Sequence, residues 1–188
     1  GALTLTSCND FLDREPLSSV TPEVYFQTVD HFAAYSIAKY QNYFSSHGGY
    51  GAGIANNDGG TDNMVAGGRS SRYVKGLWKV PSSDGNWSFS NIRYCNYFFE
   101  NAVPKYEAGE VAGADADIRH YIGEMHLMRA LVYYNLLRNY GDFPIITEVL
   151  PDDKAVLMEK GVRQPRNLVA RFILKDLDDA ASMMYSQG

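Results

Sequence analysis

Apolar side chains recur at helical spacing in four segments of the chain, separated by stretches rich in glycine or charge. Apolar residues three or four positions apart lie on one face of an α-helix, so each segment predicts an amphipathic helix. The predicted helices cover about residues 30–45, 84–102, 115–140 and 166–184, with a shorter helix near 22–27. The pattern therefore predicts a mainly α fold of stacked antiparallel helical pairs that is tetratricopeptide-like, although the strict repeat consensus is not met.

The longest predicted helix, over residues 115–140, has a defined end. Gly141 follows it at the position where a left-handed cap residue is common, and Pro144 prevents the helix from resuming. After this stop the sequence predicts a short apolar extension to Val149 and then a charged loop to Gly161.

Residues 48–84 form one long irregular insertion. Nine of the 17 glycines lie in it, together with many Asn, Asp and Ser residues, and no periodic segment appears. A long irregular stretch inside a compact chain is usually functional or disordered. The aromatic residues and arginines scattered through this stretch favour a functional loop.

Composition and charge narrow the classes of function. The chain has 188 residues, 45% hydrophobic residues and 13% aromatic residues, enough to bury a core in one domain. Its net charge of −5 disfavours a nucleic-acid partner and fits a neutral or weakly charged ligand better. No run of eighteen apolar residues is present, so no membrane-spanning helix is predicted.

The two cysteines have different predicted roles. Cys95 lies in an apolar helical pattern and is predicted to be a small buried residue. Leu5-Thr6-Ser7-Cys8 resembles a bacterial lipobox, which predicts a lipid anchor at Cys8 after removal of a signal peptide. The alternative is an N-terminal tail with an unmodified cysteine. We therefore divide the chain into residues 1–20, with the signal remnant, lipobox and an extended segment, and a helical domain over 21–188.

The most distinctive sequence motif of the chain lies at the end of the long helix and reads Arg129-Ala130-x-x-Tyr133-Tyr134-x-Leu136-x-x-x-Tyr140-Gly141-Asp142-x-Pro144. This pattern resembles the signature of the SusD/RagB family, the surface glycan-binding lipoproteins of Bacteroidetes-type bacteria. Four further segments are similar to elements of that family: residues 8–16, residues 56–63, Trp87-x-x-x-x-Ile92-x-x-x-Asn96, and Arg163 followed by residues 173–180.

Three departures from the family pattern stand out. Asn91 replaces the usual tyrosine of the Trp87 motif, and the serine that would cap the last helix is absent near Gln164-Pro165. Family members are usually more than twice as long as this chain. The sequence therefore resembles the N-terminal portion of a SusD-like protein, and a site shared with the rest would be incomplete.

The resemblance implies a lipid-anchored protein at the cell surface. Anchored to the outer membrane, it would capture a polysaccharide or oligosaccharide at the cell surface. It would then pass this glycan to a SusC-type TonB-dependent transporter. Sugar rings stack on aromatic faces, while Arg and Asn offer hydrogen bonds of fixed geometry to hydroxyls. The glycine-rich loop supplies both kinds of residue. The candidate ligand-binding residues are Asp58, Asn63, Arg69, Arg72, Tyr73 and Trp78.

Signals for catalysis, cofactors and metals are weak. His120 and His126 are six positions apart, which is not the spacing of a metal pair on one helix face. Asp58 and Asp62 are the one carboxylate pair that suggests a glycoside hydrolase, but aspartates beside glycines usually form turns. We predict no enzyme activity, no cofactor and no metal. The alternative functions are a helical interaction scaffold or a peptide-binding relative that docks the transporter, and, less favoured, a surface hydrolase.

Three structural roles are also predicted. Arg129 belongs to a mainly apolar helix face and needs a carboxylate or helix-end carbonyls, so it should pin the exit of the long helix. Trp87 should open an apolar helical stripe and pack in the core. Asp176, Asp178 and Asp179 are predicted to point away from the core on the last helix.

Overall fold

A computed structural model describes residues 24–44, 76 and 87–186 of the chain. Within those ranges the backbone forms helices and two isolated β-bridges, with no β-strand. The mainly α class predicted from the sequence is confirmed. In chain order the helices are α1 Val29–Ile37, α2 Tyr40–Tyr43, α3 Ser90–Asn101, α4 Val103–Glu107, α5 Asp115–Tyr140, α6 Lys154–Lys160 and α7 Arg166–Met183.

The 26-residue helix α5 packs against α7, α3, α1 and α2, more helices than any other described element contacts. Asp115 and Asp117 stand in its first turn and Arg138 in its last, where these charges complement the helix dipole. At its end Gly141 adopts φ +70°, and its N–H donates to the Leu137 carbonyl at 2.8 Å. The predicted helix over 115–140 and its glycine stop are therefore confirmed.

Neighbouring helices run antiparallel. Phe32 and Tyr35 of α1 meet Phe98 and Tyr94 of α3, so later positions of one helix face earlier positions of the other. Helices α3 and α5 are related in the same way, and so are α5 and α7. Gly123 lies where α5 meets α7, because a Cβ there would stand 2.7 Å from the Met184 Cγ. This order agrees with the predicted stacking of antiparallel helices.

Two apolar clusters form the core. The first cluster joins α1, α3, α4 and the first half of α5. It also contains Phe26, which precedes α1 in the chain. The second joins the start of α3, the second half of α5, the segment after α5, and α7. Helix α5 contributes to both clusters, which explains why its buried residues continue almost along its whole length.

The start of the described chain differs from the sequence prediction. The predicted helix near 22–27 is wrong over the described residues, because 24–27 form bends and helix α1 begins only at Val29. Thr28 caps α1 through its side chain, while the Val29 N–H donates to the Ala112 carbonyl at 2.9 Å. The predicted helix over 30–45 is also interrupted at Ala38 and Lys39, between α1 and α2.

The predictions for the chain before and after α5 were also wrong in part, at α3, α4 and α6. Helix α3 begins at Ser90, so Trp87 precedes the helix instead of opening it. Pro104 does not simply end the helical region, because it is accommodated in the first turn of α4. The charged segment predicted to be a loop contains α6, whose N-cap Asp153 accepts a hydrogen bond from the Val156 N–H at 3.0 Å. The apolar periodicity of this segment is too weak to predict helix α6 from the sequence.

Candidate functional site

A buried ion pair joins the long helix to the last helix. Arg129 of α5 donates through Nε to Asp176 Oδ2 and through Nη2 to Asp176 Oδ1, each at 2.8 Å. The Arg129 guanidinium also lies against the rings of Phe99 and Phe172, with distances of 4.3 and 5.2 Å to the ring centroids. Of the two partners predicted for Arg129, a carboxylate or helix-end carbonyls, the structure has the carboxylate, and Arg129 holds the middle of α5 to α7 instead of pinning the helix exit directly. A bidentate pair of this kind is both strong and geometrically specific.

The prediction that Asp176 points away from the core is wrong. Only 1% of its surface is exposed, because it lies on the face of α7 that meets Arg129. Burial by itself would raise the pKa of Asp176, but hydrogen bonds from Arg129 and His126 outweigh it and hold this pKa below its usual value. Asp178 and Asp179 are not among the fully buried residues. A period of 3.6 residues places Asp176 on the same face of α7 as the buried residues Ile173 and Ala180.

Asn96 connects this ion pair to the chain that follows α5. Its Oδ1 accepts from Arg129 Nη1 at 3.0 Å, and its Nδ2 donates to the carbonyls of Ile146 and Glu148 at 3.0 and 3.1 Å. Asn96 is fully buried. Asn96 therefore fixes the extended segment 146–148 against α3, and both the nitrogen and the oxygen of its side-chain amide take part in hydrogen bonds.

The exit of the long helix is fixed by three further contacts. Tyr133 OH accepts from the Ile146 N–H at 2.8 Å and donates to the Ile146 carbonyl at 3.2 Å. Phe143 and Gln164 exchange backbone hydrogen bonds at 3.2 and 3.1 Å. Asp142 Oδ1 accepts from the Arg166 N–H at 2.8 Å. Asp142 thus caps α7 across 24 residues of chain, in place of the local serine that the sequence lacks.

Trp87 packs at this exit, although it lies outside any helix. Its ring makes an edge contact with Tyr140 at 4.9 Å and a tilted contact with Phe143 at 4.5 Å, while the Arg163 guanidinium lies 4.6 Å from its centroid. The predicted packing role of Trp87 is therefore correct, but Trp87 stands outside the helical stripe, and these neighbours come from the end of α5 and the segment after it.

Among the described residues, one group of side chains has ligand atoms close enough together to suggest a metal: those of His126, Asp176 and Asp179 lie within 4.8 Å of one another. His126 Nδ1 stands 2.9 Å from Asp176 Oδ1, and its ring lies 4.4 Å from that of Phe99. Both oxygens of Asp176 already accept from the guanidinium of Arg129. Because Arg129 supplies the countercharge, we assign this group a structural role.

Cys95 is buried, as predicted. Burial raises the pKa of its thiol to about 12, which leaves the thiol protonated near neutral pH. Its nearest polar neighbour is the hydroxyl of Tyr43, 3.8 Å from the sulfur. A protonated thiol enclosed by aromatic rings is a packing group and not a nucleophile.

The candidate binding residues predicted from the sequence lie outside the described residues, and so does Cys8. These are Asp58, Asn63, Arg69, Arg72, Tyr73 and Trp78. Their binding role stays a prediction.

Two of the concave surfaces in the described part of the chain lie beside α3. The first is an apolar groove of about 390 Å³ between the start of α3, the segment 146–150 and the end of α6. The second, the amide-lined pocket, has a volume of about 290 Å³ between α2, α3 and α5. The amide-lined pocket is lined by Asn42, Tyr43, Ser88, Asn91, Leu131, Val132, Asn135, Leu136 and Asn139.

The sequence analysis did not single out the asparagines of this pocket. Asn135 and Asn139 are four positions apart on α5 and therefore share a helix face, a signal that was present in the sequence. Asn42 and Asn91 come from two other helices, and their convergence depends on the packing of α2, α3 and α5. That part of the pocket had no signal in the sequence.

No family model and no curated protein matches the chain. Among solved structures, it is similar to a SusD-like protein from Bacteroides fragilis, with 28% sequence identity and a TM-score of 0.42. The match covers 52% of this chain and 17% of that chain. No helix within the described residues has the length and apolar character needed to cross a membrane.

Proposed function

We propose that this protein is a SusD/RagB-like lipoprotein that captures a polysaccharide or oligosaccharide at the cell surface. In this role it delivers the glycan to a SusC-type TonB-dependent transporter in the outer membrane and performs no catalysis. The solved structure described above is that of a SusD-like protein, but it matches only half of this chain. The proposal therefore depends mainly on the residues that carry the sequence resemblance.

The observation that carries the proposal is that the resembling segments meet in space. Asn96 of the first helical motif binds Arg129 of the signature, and Arg129 binds Asp176 of the last motif. Trp87 likewise packs against Arg163. Short motifs that match by chance have no reason to place their side chains in one contact network. Their convergence supports a single inherited architecture.

Retention on a panel of soluble polysaccharides tests the binding function. We expect the wild-type chain to be retarded in gels that contain one of the polymers, and Arg72→Ala, Tyr73→Ala and Trp78→Ala to lose that retardation. Tyr134→Ala is the matched control, because Tyr134 is 50% exposed on α5 and is not among the candidates. Unchanged retention in all three loop variants would reject the loop and favour the interaction scaffold.

Scission of a bound glycan would instead favour the hydrolase alternative. In that case Asp58→Asn should abolish the release of shorter fragments, measured as new reducing ends, while retention persists. We expect no fragments from the wild-type chain, because no catalytic function is proposed for it.

The lipid anchor is tested separately, in cells that carry the complete precursor. We expect Cys8→Ser to move the protein from the membrane fraction to the soluble fraction, because the acyl chains would be missing. Cys95→Ser is the control and should leave the distribution unchanged, since Cys95 is buried in the core. An unchanged membrane fraction in Cys8→Ser would contradict the anchor.

A further inference from the structure

The amide-lined pocket is the described concave surface with the most uncommitted hydrogen-bonding capacity. We propose that it binds one or a few sugar units of a neutral glycan, as a subsite separate from the candidate residues of the loop. This inference rests on the proposed glycan-binding function and adds a location and a ligand charge to it. The volume of about 290 Å³ fits a small part of a polymer and not a long segment.

The first support is the state of the four asparagine side chains. Within the described part of the chain, the amides of Asn42, Asn91, Asn135 and Asn139 take part in no hydrogen bond, whereas Asn96 uses all of its polar atoms. Each amide offers two donors and one acceptor oxygen. Sugar hydroxyls both donate and accept, so such an array can bind several of them without a charge.

The second support is the absence of charge among the described residues of the lining. None of those residues is acidic or basic: beside the four asparagines they are Tyr43, Ser88, Leu131, Val132 and Leu136. A site for an anionic polymer needs cationic side chains, which this lining lacks. The three aliphatic side chains offer a surface for the C–H face of a sugar ring. The lining therefore matches a neutral, polyhydroxylated ligand that has one less polar face.

The third support is the rigidity and position of the pocket. Asn135 and Asn139 lie on α5, whose other faces are held by the core, and a site on helices is better ordered than one on loops. The signature fixes Arg129, Tyr133 and Tyr140, while positions 135 and 139 are left open in it. The ligand can thus differ between proteins that share this scaffold.

The experiment measures affinity for soluble starch, xylan, galactomannan and β-glucan, with alginate as the anionic comparison, by calorimetry. For the polymer that the wild-type chain binds, we expect the double variant Asn135→Leu/Asn139→Leu to bind roughly tenfold more weakly, because at least two hydrogen bonds are lost. Asn135→Ala/Asn139→Ala tests the same loss with smaller side chains. Asn167→Leu is the control, an exposed asparagine on α7 outside the pocket.

The outcomes separate this inference from the proposed function. Wild-type affinity in both double variants, together with loss of binding in Arg72→Ala or Trp78→Ala, would overturn the pocket and leave the glycan-binding function in place. Tighter binding of alginate than of every neutral polymer would also overturn it. If the wild-type chain binds none of the polymers, the proposed function itself fails. A lower melting temperature with unchanged affinity would assign the amides to stability instead, and would reject the subsite.

Discussion

The same long helix carries two groups of polar side chains that are used in opposite ways. Arg129 lies in a network where each carboxylate and amide partner is saturated, and no buried side-chain polar atom in the described residues lacks a partner. On another face of α5, Asn135 and Asn139 are exposed and uncommitted beside a pocket. The first group stabilises the fold, whereas the second remains available to a ligand.

This difference follows from the cost of burying polar groups. A buried polar atom without a partner destabilises the folded state, so burial and saturation occur together. An exposed amide can exchange water for a ligand hydroxyl at small cost. Residues that make a family recognisable need not be those that bind, and in this chain the signature residues Arg129 and Tyr133 belong to the saturated group.

The largest expected effect is on the saturated side. We expect Arg129→Met to lower the free energy of unfolding by roughly 3–5 kcal/mol, because Asp176 would stay buried without its countercharge. Urea denaturation at pH 7 measures the change. Lys175→Met is the control, because its partner Asp179 lies in an exposed pair, and it should change stability by less than about 1 kcal/mol. Equal effects of both variants would contradict the role of burial.

Low pH should remove most of the difference in stability between the wild type and Arg129→Met. The pKa of Asp176 is lowered in the folded state, so its stabilising contribution is complete above the unfolded value of 3.8 and is lost as the pH falls through the lower folded value. We therefore expect the gap between wild type and Arg129→Met to shrink below about pH 4. Unfolding curves from pH 7 to 2.5 test this. A gap independent of pH would show that the lost packing of Arg129, and not its charge, dominates.

Two adjacent tyrosines give the next test. Tyr133→Phe removes both hydrogen bonds to the Ile146 backbone. We expect a loss of about 1–3 kcal/mol, since the Ile146 N–H would lose its partner, while the Ile146 carbonyl would keep the Asn96 amide. Tyr134→Phe should change stability by less than about 0.5 kcal/mol, because Tyr134 is half exposed. Thermal and urea unfolding of the two variants can be compared directly. A larger effect of Tyr134→Phe would contradict the assignment of the faces.

A smaller effect is expected at the cap of the last helix. Asp142→Ala removes the acceptor for the Arg166 N–H and should cost about 1 kcal/mol. Asp142→Asn keeps an oxygen at the same place and should retain most of the stability. Amide hydrogen exchange of the first turn of α7 should increase in Asp142→Ala only. Equal exchange in both variants would show that water replaces the cap.

The smallest expected effect is on the pocket. Asn135→Ala should leave the free energy of unfolding within about 0.5 kcal/mol of wild type, because its amide makes no hydrogen bond in the described structure. Alanine also favours the helix slightly. Urea denaturation measures this, with the buried Asn96→Ala as a contrast that should be strongly destabilised. A large loss in Asn135→Ala would remove the distinction between the two groups.

Local patterns predicted much of the fold. The end of α5 at Gly141, the span of α7 and the burial of Cys95 follow from periodicity and capping, which act within a few residues. The errors fall in segments whose conformation depends on contacts with residues far away in the sequence. The bends at 24–27 are held by pairing with Ala112, and the start of α3 by the packing of Trp87 on residues beyond α5.

The sequence by itself determined that the chain is mainly helical, where its longest helix stops, and that Arg129 needs a carboxylate or helix-end carbonyls. Only the tertiary structure decided that Asp176 is this carboxylate and that Asn42 and Asn91 join Asn135 and Asn139 around one pocket. Periodicity and capping are properties of neighbouring residues. Partner choice depends on contacts between residues that are 33 to 47 positions apart, and these exist only once the helices have packed.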